Sequence, residues 1–182
     1  MIRSVVTIGG PPGSGKSTAG RLVAERLGLE YRSAGEVFRA EARRRGLTVE
    51  EFNRYAEDHP EVDRDLDQAM QSSATPGRLL EGRVQGALCR RNGVAVHYVL
   101  VTATVEERVR RLASRDGQSL AEARERLRTR EESELRRYRR DYGIDLEREA
   151  GDLSVDSTSL GPAEVASAIV DYIRAHEPAG LA

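Results

Sequence analysis

Gly10-Pro11-Pro12-Gly13-Ser14-Gly15-Lys16-Ser17 decides how this chain is read. The octapeptide has the spacing G-x-x-x-x-G-K-[ST]. It stands between an apolar run, Val5-Val6-Thr7-Ile8, and a helical pattern from about Lys16 to Leu27. A strand that breaks into a glycine-rich loop and then enters a helix is the setting in which this spacing cradles phosphate. Gly10, Gly13 and Gly15 allow successive N–H groups to turn inward and phosphate to come close. The helix start adds unpaired N–H groups and a dipole that favours an anion. Lys16 is expected to reach the β- and γ-phosphates, and Ser17 to offer its hydroxyl to Mg2+, directly or through water. A glycine turn entering an ordinary helix would also satisfy the spacing, but composition argues against it. Of the 29 cationic side chains, the only lysine is Lys16 and the rest are arginine. A compact charge on a flexible stem is therefore used once, at the position where the motif needs it.

Outward from the loop, short β-branched runs alternate with longer charged helical patterns, which predicts a parallel sheet wrapped by helices. Arg78 to Glu81, Val94 to Val101 and Leu153 to Asp156 read as further strands, in a total of about five. Gly35 to Arg45 reads as a helix with Val37, Phe38 and Ala42 near one face, and a helix after Glu81 runs through Leu88. Thr48 with Glu51, Thr104 with Glu107 and Ser119 with Glu122 have capping-box spacing, and Pro60 suits a first helical turn. The last of these boxes opens an Arg/Glu-rich helix to about Tyr142, and Pro162 to Ala175 closes the fold. A short Pro178-Ala179-Gly180 tail follows.

The 29 basic and 30 acidic residues give a net charge of -1, which excludes a broadly basic nucleic-acid binder. Mean hydropathy is -0.56 and no apolar run approaches the roughly 18–20 residues of a membrane span. Val5 to Ile8 is too short for a signal peptide. The single cysteine, Cys89, excludes an intramolecular disulfide and suits a reducing compartment. These readings predict a cytoplasmic protein without membrane or nucleic-acid partners, and a monomer.

Three stretches together resemble the nucleoside monophosphate kinases: Gly10 to Ser17, Ser33-Ala34-Gly35-Glu36-Val37-Phe38-Arg39, and Leu80-Glu81-Gly82-Arg83. More narrowly, the chain is similar to the cytidylate kinases of the short, archaeal-like type. Glu51 to Glu57, Pro60 to Arg64, and Arg130 to Tyr138 with Tyr142-Gly143-Ile144-Asp145 extend that resemblance over nearly the whole chain. It implies one α/β P-loop kinase domain over residues 1–182, with an acceptor-binding subdomain near 36–77 and a lid near 116–142. The implied reaction is direct phosphoryl transfer from ATP to CMP, and to dCMP, with Mg2+ accompanying the ATP.

The resemblance also distributes roles. Gly10, Pro11, Pro12, Gly13, Ser14, Gly15, Lys16, Ser17 and Thr18 form the ATP loop, and Arg111 and Arg115 match positions near adenine and the phosphates. Arg39 and Arg83, beside Gly35 and Gly82, match the positions that hold the acceptor's phosphate. Arg130 and Arg137 match the lid pair that clamps the transferring group. Seven residues make about two helical turns, so Arg130 and Arg137 are expected to point the same way, with Glu134 between them on that face. Glu134 occupies the place where the family often has Asp against the acceptor ribose, and Ser33 the place whose hydroxyl meets the acceptor base. Glu81 is a candidate metal contact through water. Bacterial members carry Asp after the Gly-Arg step, whereas this chain reads Gly82-Arg83-Val84.

Charge logic agrees, since transfer between two nucleotides gathers several phosphates and needs cations from several segments. No general base is required, because the nucleophile is a phosphate oxygen with a second pKa near 6. His59, His97 and His176 stand apart from the motifs. Asp63 and Arg64 are candidates for reading the cytosine edge. Helix surfaces merely solvated by their charges are the plain alternative for Arg124, Arg126, Arg136, Arg139 and Arg140, and in the acceptor-binding stretch for Arg54, Asp58, Asp63 and Asp67. Three rival functions remain: the same fold acting on AMP or a metabolite alcohol, a non-catalytic nucleotide-binding regulator, and RNA binding along the helix at 119–142.

Overall fold

Strand β1 (Val5–Gly9) is buried at all five residues, as a parallel strand covered on both faces should be. In the computed structural model, which describes residues 2–177, it pairs on one side with β3 (Arg78–Glu81) and on the other with β4 (Val96–Thr102). β2 (Glu30–Ser33) lies outside β3 and β5 (Leu153–Asp156) outside β4, giving the parallel order β2-β3-β1-β4-β5. The Pro178-Ala179-Gly180 tail lies outside the described residues.

Eight helices complete the described residues: α1 (Lys16–Leu27), α2 (Ala34–Arg44), α3 (Val49–Asp58), α4 (Pro60–Gln71), α5 (Gln85–Arg91), α6 (Val105–Asp116), α7 (Leu120–Tyr142) and α8 (Pro162–His176). α1 and α8 cover one sheet face, where Val23, Ile169 and Ile173 meet Val6, Ile8, Val99 and Val101. On the other face Val5 and Leu80 meet Met70 and Cys89. Two smaller cores stand apart. Ala42, Phe52, Ala56 and Val62 hold α2, α3 and α4 together, while Val109, Ala113, Ala123 and Leu127 close the α6–α7 hairpin. Each insertion therefore carries its own apolar cluster.

Local signals explain most boundaries. Thr48 with Glu51 and Ser119 with Glu122 form reciprocal capping boxes. Thr104 makes only half of one: its hydroxyl accepts from the Glu107 N–H, while the Glu107 carboxylate is taken by Arg110 and Arg111. α7 stops at Gly143, whose positive φ of 62° turns the chain out of the helix. Three expectations shift, and one strand is added. β4 begins at Val96 instead of Val94, and α5 runs past Leu88 to Arg91. Val37 is 37% exposed, so the buried face of α2 centres on Ala42. β2 carries no apolar run, because as an edge strand it keeps Glu30 and Arg32 in solvent.

The register places the functional ends together. Ser33 lies opposite Glu81, and Ile8 opposite Glu81 on the other side. The carboxyl ends of β2, β3 and β1 thus form one edge, and the order reverses between β3 and β4 around β1, where an open α/β sheet has its binding crevice.

Candidate active site

The loop after β1 is bare backbone by necessity. A Cβ at Gly10, where φ is 136°, would lie 2.0 Å from the Val101 carbonyl oxygen. Gly15 caps α1 with a φ of 86° and no side-chain bond, leaving the helix-start N–H groups free for an anion. The Lys16 ammonium folds back over this loop, donating to the Pro11 carbonyl at 3.4 Å and lying 3.7 Å from Glu81. Burial lowers its pKa, Glu81 opposes that shift, and Arg130 and Arg83 add to it. A mostly buried cation with one carbonyl and one long ion pair is under-compensated, as a phosphate-binding lysine should be.

Glu81 is a hub. Its Oε2 accepts from the Ser33 hydroxyl at 2.6 Å and from the Tyr31 hydroxyl at 3.2 Å, and its Oε1 faces Lys16. β2 makes this possible, since pairing with β3 brings residue 33 level with residue 81. Ser33 also caps α2 by accepting from the Glu36 N–H. In this structure its hydroxyl is therefore committed to Glu81 and the helix start.

Glu134 gathers two arginines. Arg83 Nε and Arg130 Nε each stand 2.7 Å from one of its carboxylate oxygens, although the residue is only 4% exposed. Burial works against its charge, but Arg130 and Arg83 outweigh it and hold the carboxyl well below the usual range. Lys16 contributes as well, so cations from the loop, the end of β3 and α7 converge on one carboxylate.

The structure separates Arg137 from that group. Its guanidinium is buried and donates to Asp63 at 2.6 Å and to Asn53 at 2.8 Å, so it faces α4 and α3, whereas Arg130 faces Glu134. Beside it, Asp67 accepts from Gln85 at 2.7 Å and from the Tyr142 hydroxyl at 2.9 Å. Burial pushes the Asp67 carboxyl up to about 7, against the two donors and with help from the Asp63 charge. Asp63 is buried with Arg137, whereas Arg64, the next residue around α4, points to solvent. The cytosine-reading pair expected at 63 and 64 is thus split by helical geometry. Arg39 is exposed on α2, with its guanidinium folded over Gly35.

On the other side of the loop lies a cavity of ≈ 420 Å³, lined by Ser14, Gly15, Thr18, Arg111, Leu160 and Pro162 among others. Arg111 donates to the Ser157 hydroxyl at 2.9 Å and to the Ser157 carbonyl at 2.7 Å, and Ser157 in turn donates to the Ser14 carbonyl at 2.7 Å. Arg115 does not line this cavity: one turn further along α6 it is exposed and pairs with Asp116. Asp63 and Asp67, the two carboxylates of the α4 surface that packing against α7 takes out of solvent, are buried instead of solvated, and Arg108, Gln85 and Ser157 were not anticipated. Ser157 was within reach, since it follows the last strand at the functional edge of the sheet.

For a divalent cation the donors are few. Among the described residues no group of three His, Cys, Asp or Glu could hold one. Ser17 is exposed at the start of α1, and Glu81 is already engaged by Ser33, Tyr31 and Lys16. The donor set fits a hard cation held mainly by phosphate and water, with Ser17 as its protein contact.

An AAA domain family profile matches residues 9–133. The cytidylate kinase of Archaeoglobus fulgidus is 44% identical over 144 residues, covering 78% of this chain and 78% of its own length. That of Halobacterium salinarum is 39% identical over 177 residues, covering 95% and 91%. Among solved structures, a gluconokinase from Sinorhizobium meliloti superposes with a TM-score of 0.62 at 16% identity, covering 97% of this chain and 94% of its own. A shikimate kinase from Bacteroides thetaiotaomicron superposes with a TM-score of 0.60 at 14% identity, covering 94% and 96%. At such identities these two support the fold, while the sequence relatives carry the assignment. The chain belongs to the cytidylate kinase family, built on a P-loop kinase fold.

Proposed function

We propose that this chain transfers the γ-phosphoryl group of ATP to CMP, and to dCMP, giving ADP and the cytidine diphosphate. The observation that carries this reading is the convergence of Arg83 and Arg130 on the buried Glu134 carboxylate, within the electrostatic reach of Lys16 on the triphosphate loop. Two guanidinium groups from two chain segments hold one anionic position and the loop lysine adds its field, an arrangement for which a nucleotide-binding regulator has no use. ATP enters over the loop with its base in the cavity beside Arg111, and the acceptor lies between β3 and α4. Lys16 and Arg130 stabilise charge on the transferring group, Arg83 and Arg39 hold the acceptor phosphate, and Arg137 joins them when Asp63 turns to the base. Glu134 exchanges an arginine for the acceptor ribose on binding. Mg2+ bound with ATP, held by phosphates, water and Ser17, neutralises charge on the β- and γ-oxygens.

α2 to α4 act as the acceptor subdomain and the α6–α7 hairpin as the lid, each moving on its own small core to exclude water. Both substrate sites are built by one chain, which supports a monomer as the working unit. No described helix is long and apolar enough to cross a membrane, and the soluble substrates support a cytoplasmic enzyme without nucleic-acid partners. An ADP-release assay over CMP, dCMP, UMP, AMP, GMP and small alcohols tests the reading. Strong stimulation by CMP and dCMP is expected, and stimulation confined to AMP or an alcohol contradicts it.

A further inference from the structure

Arg108 differs from the other arginines of its helix. Arg110, Arg111 and Arg115 all have partners within α6 itself, Arg111 reaching Ser157 as well. Arg108 is 6% exposed and spans two other elements: its Nη1 donates to the Pro12 carbonyl at 3.3 Å and to the Glu131 carboxylate of α7 at 2.7 Å. Its Nε is buried with no hydrogen-bond partner among the described residues. The phosphate loop also rests on its backbone. A Cβ at Gly13, where φ is 81°, would stand 3.0 Å from both the Arg108 Cβ and the Arg108 carbonyl oxygen.

These contacts lie at the base of the α6–α7 hairpin, below its small apolar core of Val109, Ala113, Ala123 and Leu127. Glu131 is adjacent in sequence to Arg130, and one turn further along α7 is Glu134, which pairs with Arg130 and with Arg83 at 2.7 Å each. A shift of α7 against α6 that breaks the Glu131 contact therefore moves Arg130 and Glu134 as well, because a helix moves as a rigid segment. An ion pair so little exposed is costly to break, since parting it leaves a desolvated guanidinium behind.

We propose that Arg108 is a positioning residue: clasped by Glu131, it braces the Pro12 end of the phosphate loop against α7 and holds α7 where Arg130 and Glu134 meet Arg83. This rests on the reading of the loop as the ATP site and of α6–α7 as the lid. It adds that lid position and loop geometry are coupled through one guanidinium.

The test compares Arg108→Met, Arg108→Lys, Glu131→Gln and the double variant Arg108→Met/Glu131→Gln in the full chain. Steady-state constants for ATP and CMP, melting temperature, and calorimetric binding of a non-hydrolysable ATP analogue with Mg2+ are measured. Arg108→Met is expected to raise the ATP KM and lower kcat by about ten-fold, the size of one lost hydrogen bond to a charged group. Its CMP KM stays within about two-fold, and Arg108→Lys recovers part of the loss. Glu131→Gln acts in the same direction but less, and the double variant is no worse than Arg108→Met, because both substitutions cut one linkage. Multiplying effects in the double variant overturn the proposal. So does a lowered melting temperature with unchanged ATP binding and kcat. Glu131, 24% exposed in its side chain, keeps the test open if Arg108→Met fails to fold. Full activity of Lys16→Ala would instead refute the ATP-site reading itself.

Discussion

In the proposed reading, the two halves of the site hold phosphate by different means. On the donor side, β1 and α1 offer backbone N–H groups, glycines that admit no Cβ, and one lysine, beside an open cavity of ≈ 420 Å³. On the acceptor side the candidate ligands are arginines, each already matched with a carboxylate: Arg83 and Arg130 with Glu134, Arg137 with Asp63. A main-chain cradle needs no counter-ion, because its donors are partial charges that water can satisfy. Guanidinium groups gathered under a closing lid do need one, since an isolated buried charge is costly. On this reading acceptor phosphate binds by exchange for internal carboxylates, whereas triphosphate fills a ready main-chain site in which only Lys16 has a carboxylate, Glu81 at 3.7 Å, to leave.

That contrast can be broken in order of expected effect. Lys16→Ala should lower turnover by roughly 10²–10³, the scale of one lost charge-stabilising donor. Lys16→Arg should also lose most activity, because a rigid fork cannot follow the transferring group as a flexible ammonium does. Near-normal kcat in Lys16→Arg would remove the special status of the donor half. Next, Arg83→Ala should raise the CMP KM by about ten-fold or more with little change in the ATP KM. Equal rises in both constants would show that the two halves are not separable.

A third test concerns Asp67, buried in the acceptor half with its carboxyl raised to about 7. Below about pH 4 both folded and unfolded chains hold this proton, so its contribution to stability is fully present. Between 4 and 7 the unfolded chain releases the proton while the folded chain keeps it, and stability falls with rising pH until the contribution is gone above about 7. Asp67→Asn should flatten this part of the profile, so its melting temperature gains on the parent between pH 5 and 7.5. Parallel profiles would contradict the assignment. The smallest effect belongs to the exposed pair between Arg126 on α7 and Glu50 on α3. Arg126→Ala should change stability by less than about 1 kcal/mol and leave both KM values alone.

The donor half was legible from the sequence because its function sits in contiguous residues. Gly10 to Ser17 fixes the turn, the helix start and the lysine together, and α1 spans the stretch that this spacing predicts. Helix caps at Thr48 and Ser119 were legible for the same reason, since their partners are three residues away. The acceptor half depends on contacts far apart in the chain: Arg137 with Asp63, Gln85 with Asp67, Ser33 with Glu81. The seven-residue spacing implied that Arg130 and Arg137 point the same way, but it could not say that α4 and α3 would draw Arg137 to Asp63 and Asn53, away from Glu134. β2 escaped notice because half of it faces water, and without β2 the approach of Ser33 to Glu81 could not be foreseen. Arg115 was expected at the donor site on motif position alone, and its rotation around α6 away from the cavity emerges only in three dimensions.

Direct tracking of the phosphoryl group tests the central claim most squarely. The full chain is incubated with Mg2+, CMP and ATP labelled at the γ-phosphate, and the products are separated. The account predicts label in the β-position of CDP, with inorganic phosphate at background and no labelled protein. Label released as inorganic phosphate at the same rate with or without CMP would contradict it.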